Sequence, residues 1–318
     1  MKFSWKNLKR PFFTLAPMEG ATDTVFRQII ADCAPPDVYF TEFTNVQGLL
    51  SKGNKQVSQR LKYSKKEKPI IAQIWGIDPE SFYESAKLIS KMGFDGIDIN
   101  MGCPEKSIVK RGSCAGLIKN PELAKEIIDK TREGAKSLPI SVKTRLGFTN
   151  IELLWIEFLL KQNLDALTIH LRTRKEMSKV PAHWEQAKDI VALRDKTNPK
   201  TILIGNGDIE NVNEGLEKIK QTGLDGIMIG RGVFHDPYAF SADKSLHILT
   251  VDEKLNLLKK HLDLFEKTWG GEKSFPPLKR YFKIYVNGFE KASTLREKLM
   301  ETTNINEARI VLNKFTRA

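Results

Sequence analysis

The sequence predicts an α/β fold: a (β/α)8 TIM barrel followed by an all-helical C-terminal domain. Eight short apolar runs recur at intervals of roughly 25 to 45 residues, the room that a strand, a loop and a helix need. Those runs are mostly apolar on both faces, as expected of a parallel sheet covered by helices, and eight strand–helix units are the count for a barrel. A doubly wound open sheet competes, but no Gly-x-Gly-x-x-Gly turn follows the first run. From Val251 onward the periodicity is helical only.

In chain order the predicted strands are Phe12–Met18, Val38–Phe43, Ile70–Gly76, Gly96–Gly102, Ile140–Gly147, Ala166–Arg172, Thr201–Asp208 and Gly226–Gly232. Helical patterns separate them. Pro79–Met92 follows Asp78, an N-cap candidate with proline at the first helical position, and Pro121–Lys136 follows Asn120 in the same way. Ile151–Leu160, His183–Leu193 and Ile209–Gln221 come next. The barrel domain is expected over residues 1–240 and the helical domain over 241–318. Within the latter, helices are predicted at Asp252–Trp269, Pro277–Phe289, Ala292–Met300 and Ile305–Phe315, the last capped by Asn304.

Composition narrows the class. The chain has 318 residues, 41% hydrophobic and 28% charged, in the range of a globular protein with one large and one small domain. A formal net charge of +12 draws the protein towards polyanions such as nucleic acid, although a solvated lysine-rich surface explains the charge equally well. No apolar run approaches the roughly 18 residues of a membrane span. The N-terminal MKFSWKNLKRPFF lacks the continuous apolar stretch of a secretory signal. Three scattered cysteines give neither a disulfide framework nor metal spacing. The expectation is a cytoplasmic, metal-free monomer.

In a barrel the functional site lies at the carboxyl ends of the strands. Read in turn, those ends supply Pro17 and Met18; Thr41 and Glu42; Gln73; Asn100 and Cys103; Lys143 and Arg145; His170 and Arg172; Asn206, Gly207 and Asp208; Gly230 and Arg231. A purely structural barrel would not need so many polar ends. Strands seven and eight end in GNGDI and GRG, where glycines and Arg231 suit a phosphate. Lys143 suits the edge of a flavin that gains negative charge on reduction, or, alternatively, a Schiff base. His170, at the functional end of an apolar run, favours cofactor contact over core. Cys103 can be a proton donor, or a nucleophile if Lys106, Lys110 and Arg111 lower its pKa. Cys33 reads as core, and Cys114 is given no role.

Several motifs together resemble the tRNA-dihydrouridine synthases. They are APMEGATDTVFR (16–27), TEF (41–43), QIWG (73–76), DINMGCP (98–104), VKTRLG (142–147), IHLRTR (169–174), GNGDI (205–209) and MIGRG (228–232). The resemblance implies a flavin enzyme in which Pro17, Met18, Gln73, Lys143, His170, Asn206, Gly207, Asp208, Gly230 and Arg231 hold FMN. It implies that Asn100 and Arg145 contact a uracil and that Arg172 serves substrate or phosphate. NADPH would reduce the flavin, flavin N5 would pass hydride to C6, and Cys103 would protonate C5 of a uridine in tRNA. Two departures concern substrate placement: Leu171 stands where a small residue is common, and the 175–184 segment lacks the aromatic that some members set against the base. In the tail, Lys279, Arg280 and Lys283 are interleaved with Tyr281, Phe282 and Tyr285, a basic face for RNA by the same resemblance. The rivals are an FMN-dependent reductase of a free pyrimidine or small enone, a Lys143 Schiff-base lyase, and a non-catalytic RNA-binding barrel.

Overall fold

The computed structural model describes residues 2–243 and 249–315. Nine parallel strands make its sheet: β1 Phe12–Leu15, β2 Tyr39–Phe40, β3 Thr44–Asn45, β4 Ile70–Trp75, β5 Gly96–Met101, β6 Ile140–Arg145, β7 Ala166–His170, β8 Ile202–Asn206 and β9 Gly226–Ile229. They run in the order β1-β9-β8-β7-β6-β5-β4-β2, with β3 also on β4. The ring closes where Thr14 bridges Val38 and the Leu15 N–H donates to the Val38 carbonyl at 3.1 Å. This is the predicted barrel, its second strand split in two. Thr41 causes the split: its hydroxyl accepts the Gln73 N–H at 3.0 Å and donates to the Glu42 carbonyl at 2.8 Å. A side chain thereby occupies the place of a ladder carbonyl.

Strand alternation sorts the residues into two cores. Phe13, Leu15, Ile97, Ile99, Val142, Leu167, Leu203 and Ile227 face outward onto the helices. Phe12, Val38, Phe40, Ile71, Ala166, Ile202, Ile204 and Met228 fill the barrel from the other face. Trp5, only 1% exposed, plugs the N-terminal end, its ring 6.0 Å from Phe12 and 6.1 Å from Phe40. Above this apolar floor the inward positions turn polar, with Gln73, Asp98 and Ser141 wholly or almost wholly buried.

Four aspartates repeat one device at the bottom rim. Asp37, Asp95, Asp165 and Asp225 each precede a strand and accept a backbone N–H of the preceding strand or its approach. The donors are Phe13 at 2.7 Å, Ile70 at 2.8 Å, Ile140 at 2.9 Å and Leu203 at 2.8 Å. The carboxylate pairs a donor that would otherwise be buried without a partner.

The helices start where their caps require. Asp78 accepts the Ser81 N–H ahead of Pro79–Lys91, and Asn120 accepts the Leu123 N–H ahead of Pro121–Ala135. Asn211 does the same for Val212–Thr222. The basic stretch after β5, read from the sequence as loop, contains a short helix, Lys106–Lys110, and a 3-10 turn, Cys114–Lys119.

The C-terminal part is helical as predicted, with Val251–Trp269, Ala292–Glu301 and Ile305–Phe315. The predicted Pro277–Phe289 helix is shorter: a 3-10 turn Pro276–Tyr281 continues as Phe282–Tyr285 and stops. Two prolines tighten its start, and the Asn287 amide donates to the Lys283 and Ile284 carbonyls, ending it. Of its aromatics, Tyr281 meets the barrel, while Tyr285 packs on His261 and Phe282 on Phe275 within the helical part. Tyr281 stacks on Phe26 at 5.4 Å and donates to the Ala21 carbonyl at 2.8 Å. Arg280 donates to the Gly20 carbonyl, and Lys279 to that of Met300 at 2.6 Å.

Candidate active site

A cavity of about 270 Å³ opens at the C-terminal ends of the strands. Thirteen of the fourteen sequence-predicted site residues line it: Pro17, Met18, Asn100, Cys103, Lys143, Arg145, His170, Arg172, Asn206, Gly207, Asp208, Gly230 and Arg231. Gln73 is the exception. It is fully buried below the cavity and acts through its neighbours, donating to Asp98 at 2.7 Å and accepting from the Asn100 amide at 3.0 Å. Ser141 donates to the other oxygen of Asp98 at 2.6 Å. Burial still pushes the Asp98 carboxyl up to about 6 despite both donors.

This buried relay positions the cysteine. With its amide nitrogen given to Gln73, Asn100 turns its carbonyl oxygen to the N–H groups of Gly102 at 3.0 Å and Cys103 at 2.9 Å. The turn after β5 is thereby fixed, and Cys103 faces the cavity. Arg145 braces the same turn from outside. Its Nε donates to the Gly102 carbonyl at 2.7 Å, while one Nη donates to Thr173 at 3.1 Å and Met177 at 2.8 Å. Most of a guanidinium expected to touch substrate is thus spent on the two flanking loops.

From β6 round to the loop after β9, the wall beside this turn is cationic. Lys143 Nζ donates to Asn206 Oδ1 at 3.1 Å, and Asn206 donates to the Met228 carbonyl at 2.9 Å. Burial, with Arg145 adding repulsion, brings the Lys143 ammonium down to about 8. Arg172 donates to Val180 at 2.6 Å, to Asp208, and across 3.0 Å to His170 Nε2. A guanidinium has no acceptor, so His170 Nε2 must accept and its proton sits on Nδ1. Burial, then the charges of Arg145, Lys143 and Arg172, hold its pKa well below the ordinary value, which agrees with a neutral ring.

Asp208 is the carboxylate of this wall. It takes Arg172, the Ala182 N–H at 2.9 Å and Arg231 at 3.2 Å. It therefore orients two arginines. Arg231, largely exposed, keeps most of its donors free. Gly207 has φ +135°, and a Cβ there would lie 2.8 Å from that of Ala182, so only glycine serves. At Gly230 a Cβ would stand 3.7 Å from Ala16 and 3.8 Å from Met18, over the cavity floor. Trp184, the aromatic of the 175–184 segment, is turned away, donating to the Gly207 carbonyl at 3.0 Å.

These residues fit an anionic cofactor. Lys143, Arg172 and Arg231 line a cavity whose carboxylates, Asp208 and Glu210, are already paired, and their mutual repulsion is what a phosphate or an anionic ring edge relieves.

Sequence reasoning gave Cys114 no role. In the structure the loop returns beside Cys103, whose carbonyl accepts the Ala115 N–H at 3.3 Å, and the Cys114 thiol is the chief influence drawing Cys103 down to about 7, against the upward pull of burial. Cys114 itself is held well above the ordinary thiol value, chiefly by burial. Only the folding of the intervening loop brings the pair together. Among the described residues no His, Cys, Asp and Glu group is placed to hold a metal, and no helix is long and apolar enough to cross a membrane.

The model of the family described as "Dihydrouridine synthase (Dus)" matches residues 14–318. A "Probable tRNA-dihydrouridine synthase" of Staphylococcus aureus (strain MRSA252) is 49% identical over 315 residues, 98% of this chain and 95% of that protein. A "Probable tRNA-dihydrouridine synthase 2" of Bacillus subtilis (strain 168) is 46% identical over 317 residues, 98% and 96% of the two chains. Among solved structures, the old yellow enzyme from Trypanosoma cruzi aligns with a TM-score of 0.51 at 15% identity, covering 76% of this chain and 89% of that one. An old yellow enzyme homologue from Zymomonas mobilis aligns at 0.51 with 12% identity, covering 75% and 89%, so the two share the barrel fold. The chain belongs to the dihydrouridine synthase family.

Proposed function

We propose that this enzyme reduces the C5–C6 double bond of a uridine in tRNA, using FMN and NADPH. The observation that carries the reading is one cavity with a thiol, Cys103, on the loop after β5 and a cationic wall, Lys143 to Arg231, beyond it. Lys143, His170, Asn206, Gly207, Gly230 and Arg231, with Pro17 and Met18, would hold FMN, while Gln73 and Asp208 act from behind as orienting groups. When bound and reduced by NADPH, FMN supplies the hydride that uracil C6 receives.

The chain's own residues do the rest. Lys143 places a cation where negative charge collects. Neutral His170 offers its Nδ1 proton as a hydrogen-bond donor. Asn100 and Arg145 fix the turn that carries Cys103, and Cys103 holds the proton destined for C5. A thiol of pKa about 7 is matched to proton transfer at neutral pH. A uridine in folded RNA must leave its stack to reach this cavity. In this reading the barrel, 1–240, does the chemistry and the helical part, 241–318, grips tRNA, Lys283 and Arg296 lining a groove beside His235.

One observation favours a second reading. An amine of pKa about 8, such as Lys143, suits a Schiff base. Three assays on purified protein separate the possibilities. We expect a yellow protein that forms dihydrouridine with NADPH in tRNA lacking it and leaves free uridine almost untouched. Preference for free uridine would select a small-molecule reductase, and a colourless protein trapped by borohydride at Lys143 would select the lyase. A flavin-free protein that binds tRNA without turnover would select the non-catalytic barrel.

A further inference from the structure

We propose that His183 is a positioning residue: it clasps the loop after β7 shut and so holds the Cys103 turn and the cationic wall in one arrangement. The loop leaves the barrel at Thr173 and returns at His183, and each limb carries different residues of the site. On the outgoing limb the Thr173 and Met177 carbonyls accept from Arg145 at 3.1 and 2.8 Å. Arg145 Nε in turn holds the Gly102 carbonyl, next to Cys103, at 2.7 Å. On the returning limb the Val180 carbonyl accepts from Arg172 at 2.6 Å, and the Ala182 N–H donates to Asp208 at 2.9 Å. The clasp ties limb to limb, with His183 Nε2 on Glu176 Oε1 at 2.9 Å.

Both ends of the clasp are anchored. The other Glu176 oxygen accepts the Thr173 N–H at 2.7 Å, and the His183 N–H donates to the Leu171 carbonyl at 2.7 Å. The second ring nitrogen, Nδ1, lies 3.0 Å from Glu185 Oε1. An ionised carboxylate has no proton to give, so both nitrogens donate and the ring is an imidazolium. The bond to Glu176 draws the His183 pKa up, against burial, in agreement with a charged ring.

A freely solvated ion pair contributes little. This one differs in two respects. Its side chains are mostly covered, 28% exposed for His183 and 25% for Glu176. Between the limbs, Met177 has φ +57°, a left-handed conformation that a methionine keeps only where its surroundings fix it. The fixed carbonyl of Met177 is one of the two that Arg145 uses. Opening the clasp lets Met177 relax and takes both acceptors away from a buried guanidinium, and the turn that carries Cys103 moves with it. The returning limb is released at the same time, so Arg172 and Asp208 lose their backbone partners.

The consequence for turnover rests on Cys103 being the proton donor and on FMN being the cofactor; the consequence for the thiol does not. The test compares wild type with His183→Ala by the pH midpoint of Cys103 alkylation with iodoacetamide, the Kd for FMN, and kcat and KM for tRNA. Thermal melting checks that the variant is folded. We expect the midpoint to rise from about 7, FMN to bind several-fold more weakly, and kcat to fall on the order of 10- to 10²-fold with KM for tRNA little changed. His183→Gln, whose amide still donates to Glu176, should restore the midpoint and most of kcat. His183→Phe keeps a ring in place without donors and should repeat the shift, which covers a failure of the alanine variant to fold. A folded His183→Ala or His183→Phe whose midpoint matches wild type overturns the clasp, even if wild type reduces tRNA as expected. Wild-type protein that takes up no FMN, or leaves tRNA unreduced, overturns the functional reading instead, and the thiol midpoint then decides on the clasp by itself.

Discussion

Cys103 owes its acidity to a neighbour that lies eleven positions along the chain and has no surface of its own. The Cys114 thiol favours the Cys103 thiolate, while burial opposes it. The rate of alkylation of Cys103 by iodoacetamide should therefore rise with pH through a midpoint near 7. In Cys114→Ala that midpoint should move up towards the ordinary thiol value of about 8.5. An unchanged midpoint would mean that Arg145 or the backbone, not Cys114, sets the acidity. The residues that line the cavity were legible in the sequence because most end a strand, and strand ends converge in a barrel. Their hydrogen-bond commitments were not. That Arg145 would spend its donors on Gly102, Thr173 and Met177, or Gln73 its amide on Asp98, depends on loops whose paths no local pattern encodes.

At the scale of elements, the strands and most helices follow local signals. Asp78 with Pro79, and Asn120 with Pro121, marked helix starts that the structure places within the same residues. The signals failed where one side chain overrode a propensity, as Thr41 did in splitting the second strand and Asn287 did in ending a helix. The four strand-preceding aspartates are also invisible to periodicity, since an aspartate before a strand reads as a turn. Asp225 does most: besides the Leu203 N–H it takes Arg194 at 2.8 Å and Arg10 at 2.8 Å. Losing a lone buried acceptor costs about 1–3 kcal/mol. Stranding a buried partner charge as well costs about 3–5 kcal/mol. Urea unfolding should therefore rank Asp225→Ala as more destabilising than Asp37→Ala, and the reverse order would show that the arginines contribute nothing.

For the whole molecule, the seam between barrel and helical part is an aromatic stack with charge beside it. Phe26 meets Phe234 at 5.5 Å and Tyr281 at 5.4 Å, and Lys273 pairs with Asp23 at 3.1 Å. Glu42 lies in this seam, 4% exposed, accepting the Gly20 N–H at 2.5 Å. Burial, then the charges of Asp23 and Glu19, push its carboxyl up to about 7. A folded pKa above the unfolded one means that the native state binds the proton more tightly. Stability from this group is therefore full below about pH 4.5 and falls as pH rises to about 7. Glu42→Gln keeps the acceptor and removes the titration. The variant should melt several degrees above wild type at pH 8, by an effect on the order of 3 kcal/mol, and coincide with it at pH 4. A variant less stable at pH 8 would show that the carboxylate is paired there. The seam thus fixes the helical part against the loop after β1, where Arg280 and Tyr281 donate to the Gly20 and Ala21 carbonyls. Whether the thiol at the cavity mouth delivers the proton is tested most directly by single-turnover formation of dihydrouridine in tRNA by prereduced Cys103→Ala. We expect full flavin content, normal reduction by NADPH, and a rate lowered on the order of 10²–10⁴-fold. Dihydrouridine formed by that variant at the wild-type rate would contradict it.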